Sequence, residues 1–151
     1  MTNRINLGKT NPNMFDKVIE LKNEVKLLMN KAKIEEGFSH LLLLRASQIN
    51  GCAFCLRMHT KDALACGESI ERISVIPAWR ETQYFNEKER VSLALIEAIC
   101  NISQGQVPDE VYEDATKVLN EDEITAVQWS AIIINTLNRI AITSRYEVKA
   151  E

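Results

Sequence analysis

Apolar residues recur at intervals of three and four positions along almost the whole chain, and this spacing is the strongest constraint on its fold. Glycine occurs only five times and proline three times in 151 residues, so few positions interrupt a helix. Alternation of β-branched residues, the pattern of a half-buried strand, is absent. The first long stripe consists of Met14, Val18, Leu21, Val25 and Leu28. The sequence therefore predicts an all-α fold.

Capping and helix-breaking residues divide this pattern into six or seven helices. Asn86 with Glu89 three positions later is a variant of the capping box, and Asn120 precedes three acidic residues that favour a helix start. Gly51 and Gly67 mark helix ends. The predicted helices cover approximately residues 13–33, 34–49, 52–66, 69–77, 86–99, 108–118 and 120–144.

The chain is expected to form one domain, residues 13–151, after an N-terminal arm of residues 1–12. An apolar fraction of 46% in 151 residues suffices for one core, and no linker or internal repeat divides the chain. The last predicted helix is apolar on more than one face, so it lies at the centre of the core or is shared with another subunit. We expect a single-domain helical bundle that assembles into oligomers.

Charge and hydropathy exclude several classes of function. The net charge of -3 arises from 18 basic and 21 acidic residues mixed along the chain, so binding to nucleic acid is not expected. The longest apolar runs are far too short to span a bilayer, and the N-terminus lacks the apolar core of a signal peptide. These features favour a cytoplasmic protein without a membrane partner, in which four cysteines are normally reduced.

The chemically most informative motif is Cys52, Cys55 and His59. On a helix, steps of three and four positions bring these side chains to one face, with the Cα atoms of the two cysteines roughly 5 Å apart, within disulfide reach. The motif follows a helix break, so the thiols are expected in a first turn, where free N–H groups stabilise thiolate. A low-pKa thiol beside a second thiol and a histidine is suited to peroxide reduction or thiol–disulfide exchange.

Two other interpretations of the cysteines compete with redox chemistry. Zinc could use Cys52, Cys55 and His59, but Cys66 lies roughly 10 Å beyond His59 along a continuous helix, too far to complete a tetrahedral site. A c-type haem is excluded because Leu56, not histidine, follows Cys55. Alternatively, the cysteines are small buried hydrophobic residues. No metal or cofactor is expected.

The motif and its surroundings resemble the alkylhydroperoxidase D-like branch of the carboxymuconolactone decarboxylase superfamily. The resemblance covers roughly residues 14–146 and is carried by LRASQINGCAFC at 44–55, MHTKDA at 58–63, AWRET at 78–82, NEKER at 86–90 and NRIA at 138–141. It implies an all-α homotrimer or homohexamer that reduces hydroperoxides. In that case Cys55 attacks the peroxide, Cys52 closes the disulfide, His59 relays protons, and an external dithiol reopens the disulfide.

One position departs from the family pattern. Many members have a glutamate twelve residues before the first cysteine, whereas this chain has His40 there. Our hypothesis is that His40 replaces the carboxylate, or that Glu36, one turn earlier, reaches the site. A lactone decarboxylase and a non-catalytic helical oligomer are the alternative functions. A decarboxylase would not need the two thiols.

Overall fold

The computed structural model describes residues 2–150, and within this range it contains nine α-helices, one 3₁₀ helix and no strand. The helices are α1 (Leu7–Thr10), α2 (Pro12–Lys31), α3 (Glu36–Asn50), α4 (Ala53–Ala65), α5 (Ile70–Val75), the 3₁₀ helix (Ile76–Glu81), α6 (Glu87–Cys100), α7 (Ile102–Gly105), α8 (Asp109–Val118) and α9 (Glu121–Ser144). The predicted all-α class is confirmed. None of the described helices combines the length and hydropathy that crossing a bilayer requires.

The caps that the sequence indicates are present. Asn86 caps α6, with Glu89 bonding back to its backbone N–H, and Asn120 and Glu123 form the same reciprocal pair at the start of α9. Each pair satisfies two backbone donors that a helix start otherwise leaves without a partner. These two starts were therefore predictable to the residue.

Differences from the prediction lie in short segments. Helix α1 falls within the predicted arm, where the Asn6 side chain caps it and the Leu7 N–H donates to Ser144 Oγ at 3.1 Å. Beyond α5, the chain continues as a 3₁₀ helix through Pro77 instead of ending there. Proline is tolerated because it occupies an early position of that helix, where its missing N–H is not needed.

Helices α3 and α9 form the centre of the bundle. Helix α3 contacts α4, α6 and α9, and α9 in turn contacts α2 and α6. The side chains that fill the space between these helices are fully buried: Leu41, Leu42, Leu93, Leu95, Ile96, Val127 and Ile134. The broad apolar surface of the last predicted helix is thus explained by its central position. Although α9 is central, its side chains Trp129 and Ile132 lie outside the core and are exposed.

A half-buried carboxylate anchors the 3₁₀ helix to the core. Glu97 on α6 accepts hydrogen bonds from Arg45 Nε at 2.6 Å, Trp79 Nε1 at 3.0 Å and Arg80 at 2.6 Å. Burial would raise the pKa of Glu97, but these hydrogen bonds, led by the one from Arg80, hold it below its usual value. Trp79 is therefore an anchor for the connection between α5 and α6.

Candidate functional site

The two cysteines follow a sharp break between α3 and α4. Gly51 ends α3 in the left-handed conformation, with φ of 67°, which glycine adopts without steric cost. The Cys52 N–H donates to Ser47 O at 3.0 Å and so closes the turn. The preceding Asn50 amide donates to Asn135 and Asn138 of α9, at 3.0 and 2.9 Å. The turn is thereby fixed to the central helix.

Cys52 and Cys55 are joined by a disulfide at the start of α4. Cys52 is the N-cap residue, and its Sγ accepts a hydrogen bond from the Cys55 N–H at 3.4 Å. The two Cα atoms are 5.4 Å apart, close to the separation expected from helical spacing. The motif therefore lies at the positive end of the α4 dipole, where a free thiol would be stabilised as thiolate.

Both sulfur-bearing residues are covered. Cys52 is 1% and Cys55 2% exposed, and they pack against Ala141 of α9 and against Tyr146 in the segment after it. The Tyr146 ring meets the Phe54 ring edge-on, with centroids 5.2 Å apart. Tyr146 also lies over Gly8, where an added Cβ would be only 2.9 Å from the phenolic oxygen. Tyr146 thus packs against the cluster that contains the disulfide and links it to Phe54 and to the Gly8 region.

His59 lies one helical turn after Cys55 and is buried. Its Nδ1 is 3.4 Å from Nδ1 of His40 on α3, and an Asp62 carboxylate oxygen lies 4.0 Å from the first nitrogen and 3.9 Å from the second. A hydrogen bond between the two nitrogens requires a proton on one of them. The buried Nε2 of His59 has no hydrogen-bond partner among the described residues.

Burial keeps the paired imidazoles neutral. Burial, with a smaller contribution from the positive charges that His40 and Lys22 can carry, lowers the pKa of His59 to about 4. Burial also lowers the pKa of His40, although the Asp62 and Glu36 carboxylates oppose this effect. Both rings are therefore neutral near pH 7, when each can accept a proton or a metal ion through an unprotonated nitrogen.

A cavity of about 400 Å³ opens beside the two histidines. His40, His59 and Asp62 contribute polar groups to it, and residues of α2, α3, α4 and α9 contribute apolar walls, among them Val25, Met29, Leu43, Met58 and Ile133. Among the described residues, the two disulfide cysteines are not part of its lining. The cavity and the disulfide are therefore separate features next to α4, and of the three motif residues His59 lines the cavity.

The structure brings together only some of the predicted site residues. His40 is next to His59, whereas Glu36 is exposed at the cavity rim and pairs with Lys26 at 2.7 Å. This hydrogen bond lowers the pKa of Glu36. Sequence reasoning missed Asp62, although its position three residues after His59 on a helix would have placed it on the same face.

Two groups of side chains have ligand atoms close enough to share a metal ion. In one, the ligand atoms of His40, His59 and Asp62 lie within 4.8 Å of one another; in the other, those of Glu36, His40 and Cys66 do. The first group is the more buried. Among the described residues, Cys66 is therefore grouped with Glu36 and His40, and not with Cys52 and Cys55.

Comparison with known proteins relates this arrangement to one family. The model of the carboxymuconolactone decarboxylase family matches residues 12–98. The uncharacterized protein YdfG of Bacillus subtilis (strain 168) is 36% identical over an alignment of 124 residues, and the match covers 78% of this chain and 84% of the relative. A crystal structure is known for a protein of unknown function from Agrobacterium tumefaciens that is 36% identical to this chain. That protein has been suggested to be the antioxidant defence protein AhpD. It superposes with a TM-score of 0.90 over 99% of this chain and 100% of that one.

Proposed function

We propose that this chain, which belongs to the carboxymuconolactone decarboxylase family, is an alkylhydroperoxidase-like thiol peroxidase. The observation that carries the proposal is the disulfide between Cys52 and Cys55 at the start of a helix, with buried His59 one turn further on. The suggested antioxidant role of the Agrobacterium tumefaciens protein, which has the same fold, supports the same class of chemistry.

The oxidative step begins from the reduced pair. The Cys55 thiolate attacks one peroxide oxygen, the O–O bond breaks, and Cys55 sulfenic acid forms, while the leaving alkoxide takes from His59 the proton that the Cys55 thiol gave up and becomes an alcohol. The thiol proton goes to Nε2 of His59, the atom without a partner in the disulfide form. A thiolate beside the ring would raise the pKa of His59 from its value in the disulfide form.

The second step forms the disulfide and restores the resting charges. Cys52 gives its thiol proton to His59, its Sγ attacks the sulfur of the Cys55 sulfenic acid, and the leaving hydroxide takes that proton from the His59 imidazolium and departs as water. His40 positions the His59 ring through the contact between their Nδ1 atoms. An external dithiol then reduces the disulfide by thiol–disulfide exchange and is itself oxidised.

Turnover of hydrogen peroxide and an organic hydroperoxide, each with several dithiol donors, tests the proposal. We expect Cys55→Ser to abolish turnover, and Cys52→Ser to stop it after one equivalent of peroxide, with sulfenic acid left on Cys55. A family decarboxylase would retain its activity in the double serine variant. Peroxide consumption by that double variant at the wild-type rate would refute the proposal.

The relay is tested separately with two alanine variants. His40→Ala should slow peroxide-dependent disulfide formation, since it removes the group that contacts His59. Glu36→Ala is the matched control, because Glu36 is held at the rim by Lys26. Equal rates of disulfide formation in the wild type and both variants would mean that neither His40 nor Glu36 takes part in the relay.

We also propose that the chain forms a homo-oligomer. Trp129, Ile132 and Ile142 are large apolar residues of α9 that stay 39–45% exposed although this helix is central to the core. Light scattering coupled to size exclusion should give the mass of a trimer or hexamer. Ile132→Glu should shift the protein toward monomer, and a monomeric wild type would contradict this assembly.

A further inference from the structure

We propose that His40, His59 and Asp62, which line the cavity, form a binding site for a divalent first-row transition metal ion. Two histidines and one carboxylate are a common ligand set for zinc and non-haem iron, and such sites keep positions open for water or substrate. The three residues come from only two helices, since His59 and Asp62 are three positions apart on α4 and His40 faces them from α3.

The distances between the ligand atoms support this assignment. His40 Nδ1 and His59 Nδ1 are 3.4 Å apart, and Asp62 Oδ2 lies 3.9 and 4.0 Å from them. The circumradius of a triangle with these sides is about 2.2 Å, close to the roughly 2.0–2.2 Å of zinc–nitrogen and zinc–oxygen bonds. An ion could therefore bind all three atoms with little movement of either helix.

The surroundings suit a metal with an open coordination position. The three residues border the cavity of about 400 Å³, which leaves space for water or another ligand on that side. The cations Lys22 and Lys26 line the cavity; Lys26 is paired with Glu36, and Asp62 brings a negative charge to the site. Imidazole ligands favour zinc, iron or cobalt over magnesium and calcium, which prefer oxygen.

The same ion could instead bind at the cavity rim, to Glu36, His40 and Cys66. This rim group shares His40 but is more exposed, and it depends on one thiol. A Cys66→Ser background therefore removes this competitor. An intact disulfide removes Cys52 and Cys55 as ligands, so that the remaining binding reports on the two histidines and Asp62.

Equilibrium dialysis of Zn²⁺ and titration with Co²⁺ test the site in the oxidised full-length Cys66→Ser protein. We expect one ion per chain and d–d absorption bands of four- or five-coordinate Co²⁺ without a thiolate charge-transfer band. His40→Ala and Asp62→Asn should each weaken Zn²⁺ binding at least about tenfold. Glu36→Gln, the rim control, should leave it unchanged, and Mg²⁺ should not compete.

Failure of Zn²⁺ to bind at micromolar concentration would overturn the site, as would retention of wild-type affinity in Asp62→Asn or loss of binding in Glu36→Gln. Circular dichroism of each variant shows whether the helices are intact. Since these readouts do not involve peroxide, their outcome is independent of the proposed peroxidase activity.

Discussion

The titration of His59 gives a quantitative prediction for stability against pH. Burial holds its folded pKa near 4, against an ordinary value of 6.5. Between these values the unfolded chain binds a proton that the folded chain does not, so the free energy of unfolding rises with pH. It is expected to fall by about 2.5 kcal/mol when the pH is lowered from about 7.5 to about 4.5. Above pH 7.5 the contribution is constant.

Other groups titrate in the same range, so the effect must be isolated as a difference between variants. His40 on α3, Asp62 on α4 and the positive charge of Lys22 on α2 all act on the His59 ring. Urea denaturation of wild type and His59→Gln, both with the disulfide intact, should be compared across this pH range. The stability difference between the two should change by about 2.5 kcal/mol, since glutamine does not titrate.

A second variant, His59→Asn, guards against poor folding of the glutamine variant. A stability difference that stays constant within about 0.5 kcal/mol from pH 7.5 to pH 4.5 would refute the reasoning, because 2.5 kcal/mol is a shift of nearly two pKa units. A difference that grows on acidification, with the wild type gaining stability, would have the wrong sign. In that case the His59 ring would be charged in the folded protein.

Three further predictions concern the surroundings of the site. Tyr146→Ala should speed reduction of the disulfide by dithiothreitol severalfold, measured by thiol release, because it removes the ring that packs against the cluster of Cys52, Cys55 and Ala141. Glu97→Gln should lower the free energy of unfolding by about 2 kcal/mol in urea, since two arginine hydrogen bonds lose their anionic acceptor. Asn138→Ala should cost about 2–3 kcal/mol by the same measurement, because it removes the buried hydrogen bonds with Asn50 and Ser47 and leaves a cavity where the amide was.

Each of these predictions has a defined contrary result. Exposed Tyr112, on α8, provides a control alanine substitution that should not change disulfide reduction. Wild-type reduction rates in Tyr146→Ala would mean that the ring does not limit access. Wild-type stability in Glu97→Gln or Asn138→Ala would mean that their hydrogen bonds contribute no net free energy.

The helical architecture was predictable because its determinants are local. Helical spacing identifies α2, and the side chains of Asn86 and Asn120 bond to backbone groups only three residues away. The short helices α1 and α7 were not predicted, since four residues contain too little periodic information. Helix α1 depends on a contact between Leu7 and Ser144, at the opposite end of the chain.

The candidate site was predictable to a similar extent and for the same reason. Spacing alone placed Cys52 and Cys55 within disulfide reach, because both belong to one turn. The resemblance drew attention to His40, which α3 brings beside His59. The cover formed by Tyr146 could not be inferred, since it requires the C-terminal segment to pack on a turn some 90 residues earlier, and no periodic pattern records such a contact.

The position of His59 suggests how the two reagents of the proposed cycle reach one disulfide. Its Nδ1 faces His40 at the cavity, while Cys52 and Cys55 lie outside the cavity lining in a cluster against which Tyr146 packs. If the hydroperoxide approaches from the His59 side and the dithiol from the Tyr146 side, removing the Tyr146 ring should accelerate reduction and leave the oxidation rate unchanged. Equal acceleration of both half-reactions in Tyr146→Ala would mean that the two reagents share one route. Stopped-flow measurement of each half-reaction therefore distinguishes a two-sided site from a single entrance, whichever dithiol serves as donor.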